Sequence, residues 1–461
     1  MKIYKFLLLI IVFSLMLGSC KKYLDVPPTT SQRFAETAED CQLLLDNYGL
    51  MNTGYPSDGE LSADDYYLPS SSYTSLVNSE DRDLYIWSAG ARRAKAGAQW
   101  QNPYQVVFQS NLVLETVQKL QGGSTDPGTL NNLKGAALFF RAYAFWNVAQ
   151  LYAKPYSAAS ADQDMGIPLR MTTDIVEVSV RGTVKQTYDR IIQDLKDAVN
   201  LLPSTSSIAT RPNKAAAYAM LARTYLSMEN YTDALSSATS ALQLDNQLMD
   251  YNTIPASSNT PFSPRFNKEV VFHSIISGGN TLVPNINTAR IDSNLVASYD
   301  PNDLRGTLFF KLIGIGPTYR FTGSYEGAFL SSNFFNGLAV DELYLTRAEC
   351  YARTNKPNEA MTDLNTLLIT RWKTNTYVNM TAVDAQDALR KVLKERRKEL
   401  VMRAQRWTDL RRLNMDPNFS MPLKRILPGI GSYELAPNDL RYVLLIPDEV
   451  ITNAGISQNP R

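Results

Sequence analysis

Two stretches of this chain carry the same residue spacing, and that constrains the fold more than any other feature of the sequence. Tyr218, Leu221, Ala222, Tyr225, Ala234, Ala238 and Ala241 recur at the offsets of Tyr344, Arg347, Ala348, Tyr351, Ala360, Leu364 and Leu367. The offsets match the tetratricopeptide pattern, a helical hairpin of about 34 residues. Small residues at 222 and 234, and again at 348 and 360, let two antiparallel helices approach closely, while the aromatic between them fills the gap to the next hairpin. Alanine-rich amphipathic helices in general explain one such copy, but not two in register. A degenerate first helix is visible at Leu138, Arg141, Ala142 and Phe145, and a fourth hairpin is expected from Ala385 to Leu413. The predicted fold is mainly α: a tetratricopeptide-like scaffold of helical hairpins with long irregular loop insertions and a few short strands.

Helical periodicity also runs upstream of the repeat. Cys41, Leu44, Leu45 and Tyr48 mark one face behind a Thr37-x-x-Asp40 capping pattern. Tyr104, Val107, Phe108, Asn111 and Leu114 mark another, and Tyr188, Ile191, Ile192, Leu195, Val199 and Leu202 a third. Two blocks, 52–90 and 246–337, do not fit. The second is rich in Ser, Asn, Pro and Gly, and its runs VVFHSII and LFFKLIG read as strands. Loops this long in a compact protein are functional or disordered, and their many aromatics argue against disorder. The chain thus divides into a leader at 1–19, an N-terminal helical region at 20–245, an insertion at 246–337 and a C-terminal region at 338–461.

Lys2 and Lys5 precede an apolar run from Phe6 to Leu17, a signal-peptide arrangement too short to span a bilayer comfortably. Leu17-Gly18-Ser19-Cys20 then resembles a bacterial lipoprotein lipobox, in which the cysteine is acylated and becomes the new N-terminus. Cys20 is the expected lipidation site. Loss of the leader leaves acidic and basic side chains nearly balanced, which argues against nucleic acid as a partner. Cys41 and Cys350 read as buried free thiols rather than a disulfide pair. The single histidine, His273, has no second histidine or CxxC beside it, so no metal site and no cofactor are expected.

Segments from end to end carry a family resemblance: CKKYLDVPP, WQNPYQVVFQSNLVLE, LKGAALFFRAYAFWNVAQLYAKPY, TVKQTYDRIIQDLKDAVNLLP, DELYLTRAECYART, ERRKELVMRAQRWTDLRRLN and LIPDEVITNAGISQNP. In this order they resemble the SusD/RagB nutrient-binding lipoproteins of the Gram-negative outer membrane. The resemblance implies a tetratricopeptide-like scaffold decorated with loops, held on the cell surface by a lipid over a SusC-type TonB-dependent transporter. It also implies an oligosaccharide or peptide ligand and no catalysis. Where that family often has an acid and a glycine before Gln-Arg-Trp, this chain has Arg403-Ala404. Glu395, Arg396, Arg397, Glu399, Arg406, Asp409, Arg411 and Arg412 are spaced to pair along and between helices, so the departure is expected to alter ion pairing and not ligand.

A sugar presents an apolar ring face edged with hydroxyls, so its site needs an aromatic platform ringed by amides, carboxylates or guanidiniums. The irregular blocks supply the candidates: Tyr66, Tyr67, Tyr73, Asn78, Arg82 and Trp87 in the first, Tyr299, Tyr319, Arg320 and Tyr325 in the second. Some of these aromatics must anchor the loops. Trp100, Trp146, Trp372 and Trp407 lie on predicted helices and read as packing residues, and Asn111 as a buried amide that bonds a neighbouring loop. The acidic pairs Asp64-Asp65, Glu80-Asp81 and Asp341-Glu342 could serve glycoside hydrolysis in principle. Such neighbours arise by chance among 45 acidic residues, and the sequence holds no GxSxG elbow with a triad histidine and no Walker loop. A binding protein is the expected class.

Overall fold

The computed structural model describes residues 35–276, 288–314, 316–328 and 333–461. The leader and Cys20 lie outside the described residues. Twelve helices carry labels below, in chain order: α1 (Ala38–Leu45), α2 (Asp58–Ser62), α3 (Gly97–Leu120), α4 (Pro127–Tyr152), α5 (Val184–Leu201), α6 (Lys214–Ser227), α7 (Tyr231–Leu244), α8 (Val340–Arg353), α9 (Pro357–Leu368), α10 (Ala385–Glu399), α11 (Arg406–Leu413) and α12 (Asp448–Ala454). Side-chain caps set several starts. Thr37 and Asp40 form a capping box on α1, Thr183 and Gln186 another on α5, and Asn213 and Asn230 cap α6 and α7.

Helix α4 is buried almost throughout, packed between α3 and α5. From there the scaffold continues as expected: α5 against α6, α6 against α7, α7 against α8, α8 against α9. The repeat positions Ala222, Ala234, Ala238 and Ala241 are buried, as are Ala348, Ala360, Leu364 and Leu367. The hairpin expected at 385–413 does not form. Helix α10 packs on α8 and α9, but Met402 and Ala404 adopt left-handed backbone conformations (φ 57° and 55°) and turn the chain so that α11 lies against α2 and α6. Ala404 stands where the resemblance to the SusD/RagB family implies a glycine. A left-handed L-residue costs about 1–2 kcal/mol, less the entropy a glycine adds to the unfolded chain. Ala404→Gly should therefore raise stability by about 0.5–1 kcal/mol in denaturant titration, and a loss would mean that this turn is unstrained.

The strands are short and, among the described residues, every sheet is two-stranded: β1 (Tyr66–Tyr67) with β6 (Arg290–Ile291), β2 (Met165–Pro168) with β3 (Arg181–Thr183), β4 (Val270–Phe272) with β10 (Leu338–Ala339), β5 (Ile275–Ile276) with β9 (Phe334–Phe335), β7 (Phe310–Leu312) with β8 (Tyr319–Phe321), and β11 (Leu423–Leu427) with β12 (Gly431–Leu435). VVFHSII supplies β4 and β5. LFFKLIG begins in a helix, because the Asp303 side chain caps a helix over Leu304–Phe309 and leaves only Phe310–Leu312 extended. Block 52–90 likewise holds three short helices, Asp58–Ser62, Ser70–Thr74 and Ser79–Tyr85.

Most of the charged C-terminal segment is held in buried ion pairs. Arg412 pairs with Glu349 (2.5 Å) and Asp409 (2.8 Å), Arg396 with Asp409 (2.8 Å), and Arg403 with Asp341 (3.1 Å). Two fully buried guanidiniums tie the insertion to α10. Arg305 meets Asp303 (2.7 Å), Glu395 (2.5 Å) and Glu399 (2.9 Å), and Arg371 meets Glu269 (2.9 Å) and Glu399 (2.8 Å). Cys41 and Cys350 are buried and form no disulfide among the described residues, and burial pushes the Cys41 thiol up to about 11. Asn111 is buried and its amide donates to the carbonyls of Arg170 (3.0 Å) and Thr172 (3.2 Å). No helix among the described residues is long and apolar enough to cross a membrane.

Candidate ligand-binding surface

The two irregular blocks meet at the antiparallel pair β1–β6, where Tyr66 faces Ile291 and Tyr67 faces Arg290. Strand β8, carrying Tyr319 and Arg320, lies beside β6. Alternation along a strand sends neighbouring side chains to opposite faces. Tyr66 accordingly points inward and donates to the Leu61 carbonyl (2.7 Å), while Tyr67 stays at the rim. Beside the rim, Arg397 reaches Asp64 and Asp65 (both 3.2 Å) and Asp292 (3.4 Å), and Arg406 grips Asp64 at 2.6 Å. Asp292 and Arg397 are each about a quarter exposed. The result is a partly open patch of ring, carboxylate and guanidinium.

Electrostatics grade these acids by depth. Burial raises Asp65 to about 6, against the pull of Arg397 and Arg406. Burial acts on Asp64 too, yet Arg406 and Arg397 together hold it well below the usual carboxylate range. Behind both, Glu60 on α2 is buried and neither of its oxygens makes a hydrogen bond of good geometry among the described residues. Burial and then the Asp65 charge push it up to about 8, with the Ala404 backbone amide and Arg406 pulling weakly the other way.

Most of the other sequence candidates anchor loops. Tyr73 is buried with its ring 5.8 Å from Tyr85. Asn78 caps the helix Ser79–Tyr85 by accepting from the Glu80 amide (2.9 Å), and Arg82 donates to the Leu76 carbonyl. Trp87 is buried and its indole donates to the Ser62 carbonyl (2.9 Å). The guanidinium of Arg425, on β11, sits among three rings: Tyr85 (3.6 Å), Trp87 (4.5 Å) and Tyr66 (5.5 Å). In the second block Tyr325 is buried, donates to Glu269 (2.7 Å) and lies under Arg403 (4.3 Å). Tyr299 donates to the Lys398 carbonyl (2.7 Å) with the Lys398 ammonium 4.8 Å over its ring. Seven candidates, Tyr66, Tyr73, Asn78, Arg82, Trp87, Tyr299 and Tyr325, are thus engaged within the protein in this structure. Tyr67, Tyr319 and Arg320 remain at the surface.

Two concave features escaped the sequence reading. One is a groove along α3, where Trp100, Tyr104 and Phe108 follow at one-turn spacing beside Arg170 and Ser179. Its wall ends in three aliphatic side chains left largely in solvent: Ile175 (85%), Val176 (81%) and Val178 (76%). The run TDIVEVSV marked it, being aliphatic without helical spacing. The other is a cleft of about 320 Å³ inside the insertion, around Arg265 and Phe266; no periodicity announces it.

Residues 22–226 match a SusD-like family described as starch-binding and associating with the outer membrane, and residues 341–460 match the SusD family. A SusD-like protein of Formosa agariphila is 25% identical over 253 residues, which are 52% of this chain and 45% of that protein. This chain therefore spans less than half of that relative's length. A SusD superfamily protein of Bacteroides thetaiotaomicron has the same fold at TM-score 0.72 and 22% identity, over 92% of this chain and 100% of the other. A SusD-like carbohydrate binding protein of Bacteroides vulgatus follows at TM-score 0.68 and 18% identity, over 90% and 96% of the two chains. With both family matches in chain order on a tetratricopeptide-like scaffold, this chain belongs to the SusD/RagB family.

Proposed function

We propose that this protein is a lipid-anchored subunit of the outer membrane that captures a nutrient oligosaccharide and hands it to a SusC-type TonB-dependent transporter. The observation that carries the reading is the β1–β6 junction, which sets Tyr67 beside Arg290, Asp292 and Arg397 at the surface. The ring offers a stacking face, and the charged groups offer donors and acceptors to hydroxyls. No bond is made or broken; a rigid helical frame lowers the ordering cost of binding.

Calorimetric titration of residues 21–461 with oligosaccharides, beside a peptide panel, tests this. Tyr67→Ala and Tyr319→Ala should each weaken oligosaccharide binding about tenfold, the scale of one aromatic contact of about 1–1.5 kcal/mol. Binding of peptides alone would replace the sugar reading with peptide uptake, and unchanged affinity in both variants would remove the junction as the site.

Tethering raises the effective concentration of subunit and transporter, so that a modest contact keeps them together. Two or three acyl chains on Cys20 supply such a tether at about 0.8 kcal/mol per buried methylene. Cys20→Ala should move the protein from the membrane fraction to the soluble one. A variant that stays membrane-bound and acylated would refute the anchor.

A further inference from the structure

Between α7 and β4 the chain folds back on itself and encloses the 320 Å³ cleft. Phe266, on its wall, holds a left-handed backbone conformation (φ 65°). That is rare for a bulky L-residue, and such strain concentrates at functional positions. The strain serves no burial, since Phe266 remains 47% exposed, its ring meeting His273 at 4.9 Å and 84°. Around the ring stand hydrogen-bond donors. Asn267 is oriented by its Oδ1, which accepts from the Glu269 amide (3.0 Å), and its Nδ2 is buried with no hydrogen-bond partner among the described residues. Arg265 is fixed by the buried carboxylate of Glu326 and by the Tyr48 ring 5.7 Å away, yet over a third of its side chain is exposed. Lys268 is exposed. The one carboxylate on the wall, Asp250, is already accepting from the amide nitrogens of Asn252, backbone (3.0 Å) and side chain (2.8 Å).

An open ring beside an ammonium, a guanidinium and an unspent amide donor is complementary to a pyranose that bears a carboxylate. The apolar sugar face stacks on Phe266, and the acid takes charge-assisted hydrogen bonds that a neutral sugar cannot form as strongly. We propose that this cleft is a second carbohydrate subsite, selective for an acidic sugar residue. The inference rests on the oligosaccharide reading above but on none of the residues at the β1–β6 junction.

The test is a titration of residues 21–461 with trigalacturonate and with maltotriose, for the wild type, Phe266→Ala, Lys268→Ala and Tyr67→Ala. Lys268→Ala changes only an exposed side chain, so its result does not depend on a folding defect. Expected is tighter binding of trigalacturonate than of maltotriose, with the trigalacturonate affinity falling about tenfold in Phe266→Ala and in Lys268→Ala and the maltotriose affinity unchanged in both. Trigalacturonate affinity that ignores both substitutions while Tyr67→Ala abolishes it would overturn the subsite and leave the oligosaccharide reading intact. Maltotriose binding that depends on Phe266 as strongly as trigalacturonate binding would overturn the acid selectivity. Failure of the wild type to bind trigalacturonate would overturn the subsite, while the oligosaccharide reading would still stand or fall on the wider oligosaccharide and peptide titrations.

Discussion

Arg305→Met is expected to cost about 3–5 kcal/mol of folding free energy, because removing one partner of a buried ion pair strands the others in a medium that cannot solvate them. Arg305 is fully buried and faces Asp303, Glu395 and Glu399. Without it the three carboxylates retain only Lys398, which reaches Asp303 (2.9 Å) and Glu395 (3.1 Å), and Arg371, which reaches Glu399. Methionine preserves volume and apolar packing, so the loss isolates charge. The deficit should shrink in acid, where the stranded carboxylates take up protons. Urea titrations of wild type and variant at pH 7 and pH 4 check both points. A cost under about 1 kcal/mol at pH 7 would mean that water reaches the cluster and that it does little to tie the insertion to α10.

Glu60→Gln should do the opposite and stabilise the protein, increasingly so as the pH rises. The folded-state value of Glu60 lies near 8, against 4.5 for an ordinary glutamate. Below pH 4.5 the side chain is protonated in both states and contributes no difference. Between 4.5 and 8 the unfolded chain releases the proton while the folded chain keeps it, so stability falls with rising pH. The accumulated loss is on the order of 4 kcal/mol. Asp65, raised to about 6, adds to the decline in the same direction. Glutamine keeps the shape and cannot ionise. Midpoints of denaturant unfolding should therefore coincide for the two proteins near pH 4.5 and separate toward pH 8, and parallel curves across that range would show that Glu60 is solvated.

The scaffold was readable because close helix packing demands small residues at fixed places, and Ala222, Ala234, Ala348 and Ala360 state that demand locally. The charged faces of α10 and α11 were readable for the same reason: their helical spacing is a local property. The failures were non-local. Tyr66 and Trp87 look like platform aromatics until Arg425, more than three hundred residues later in the chain, is seen to fill the space among them. Tyr325 looks free until Arg403 covers it. The 385–413 hairpin failed on two left-handed residues, Met402 and Ala404, neither of which is a glycine that would have advertised the turn. LFFKLIG failed on one cap, Asp303, whose effect outweighed the β-propensity of the run.

The β1–β6 ladder between the two loop blocks has two rungs, and Asn52 and Tyr55 make further contacts, to residues 273–276. Because that ladder is so short, either block can gain or lose residues away from it without breaking it, and each doubling of a flexible loop adds only about 0.6 kcal/mol of closure entropy. The helical frame, whose interior is committed residue by residue, has no such freedom. The exposed loop surface of this architecture can therefore be rewritten while the frame stays unchanged.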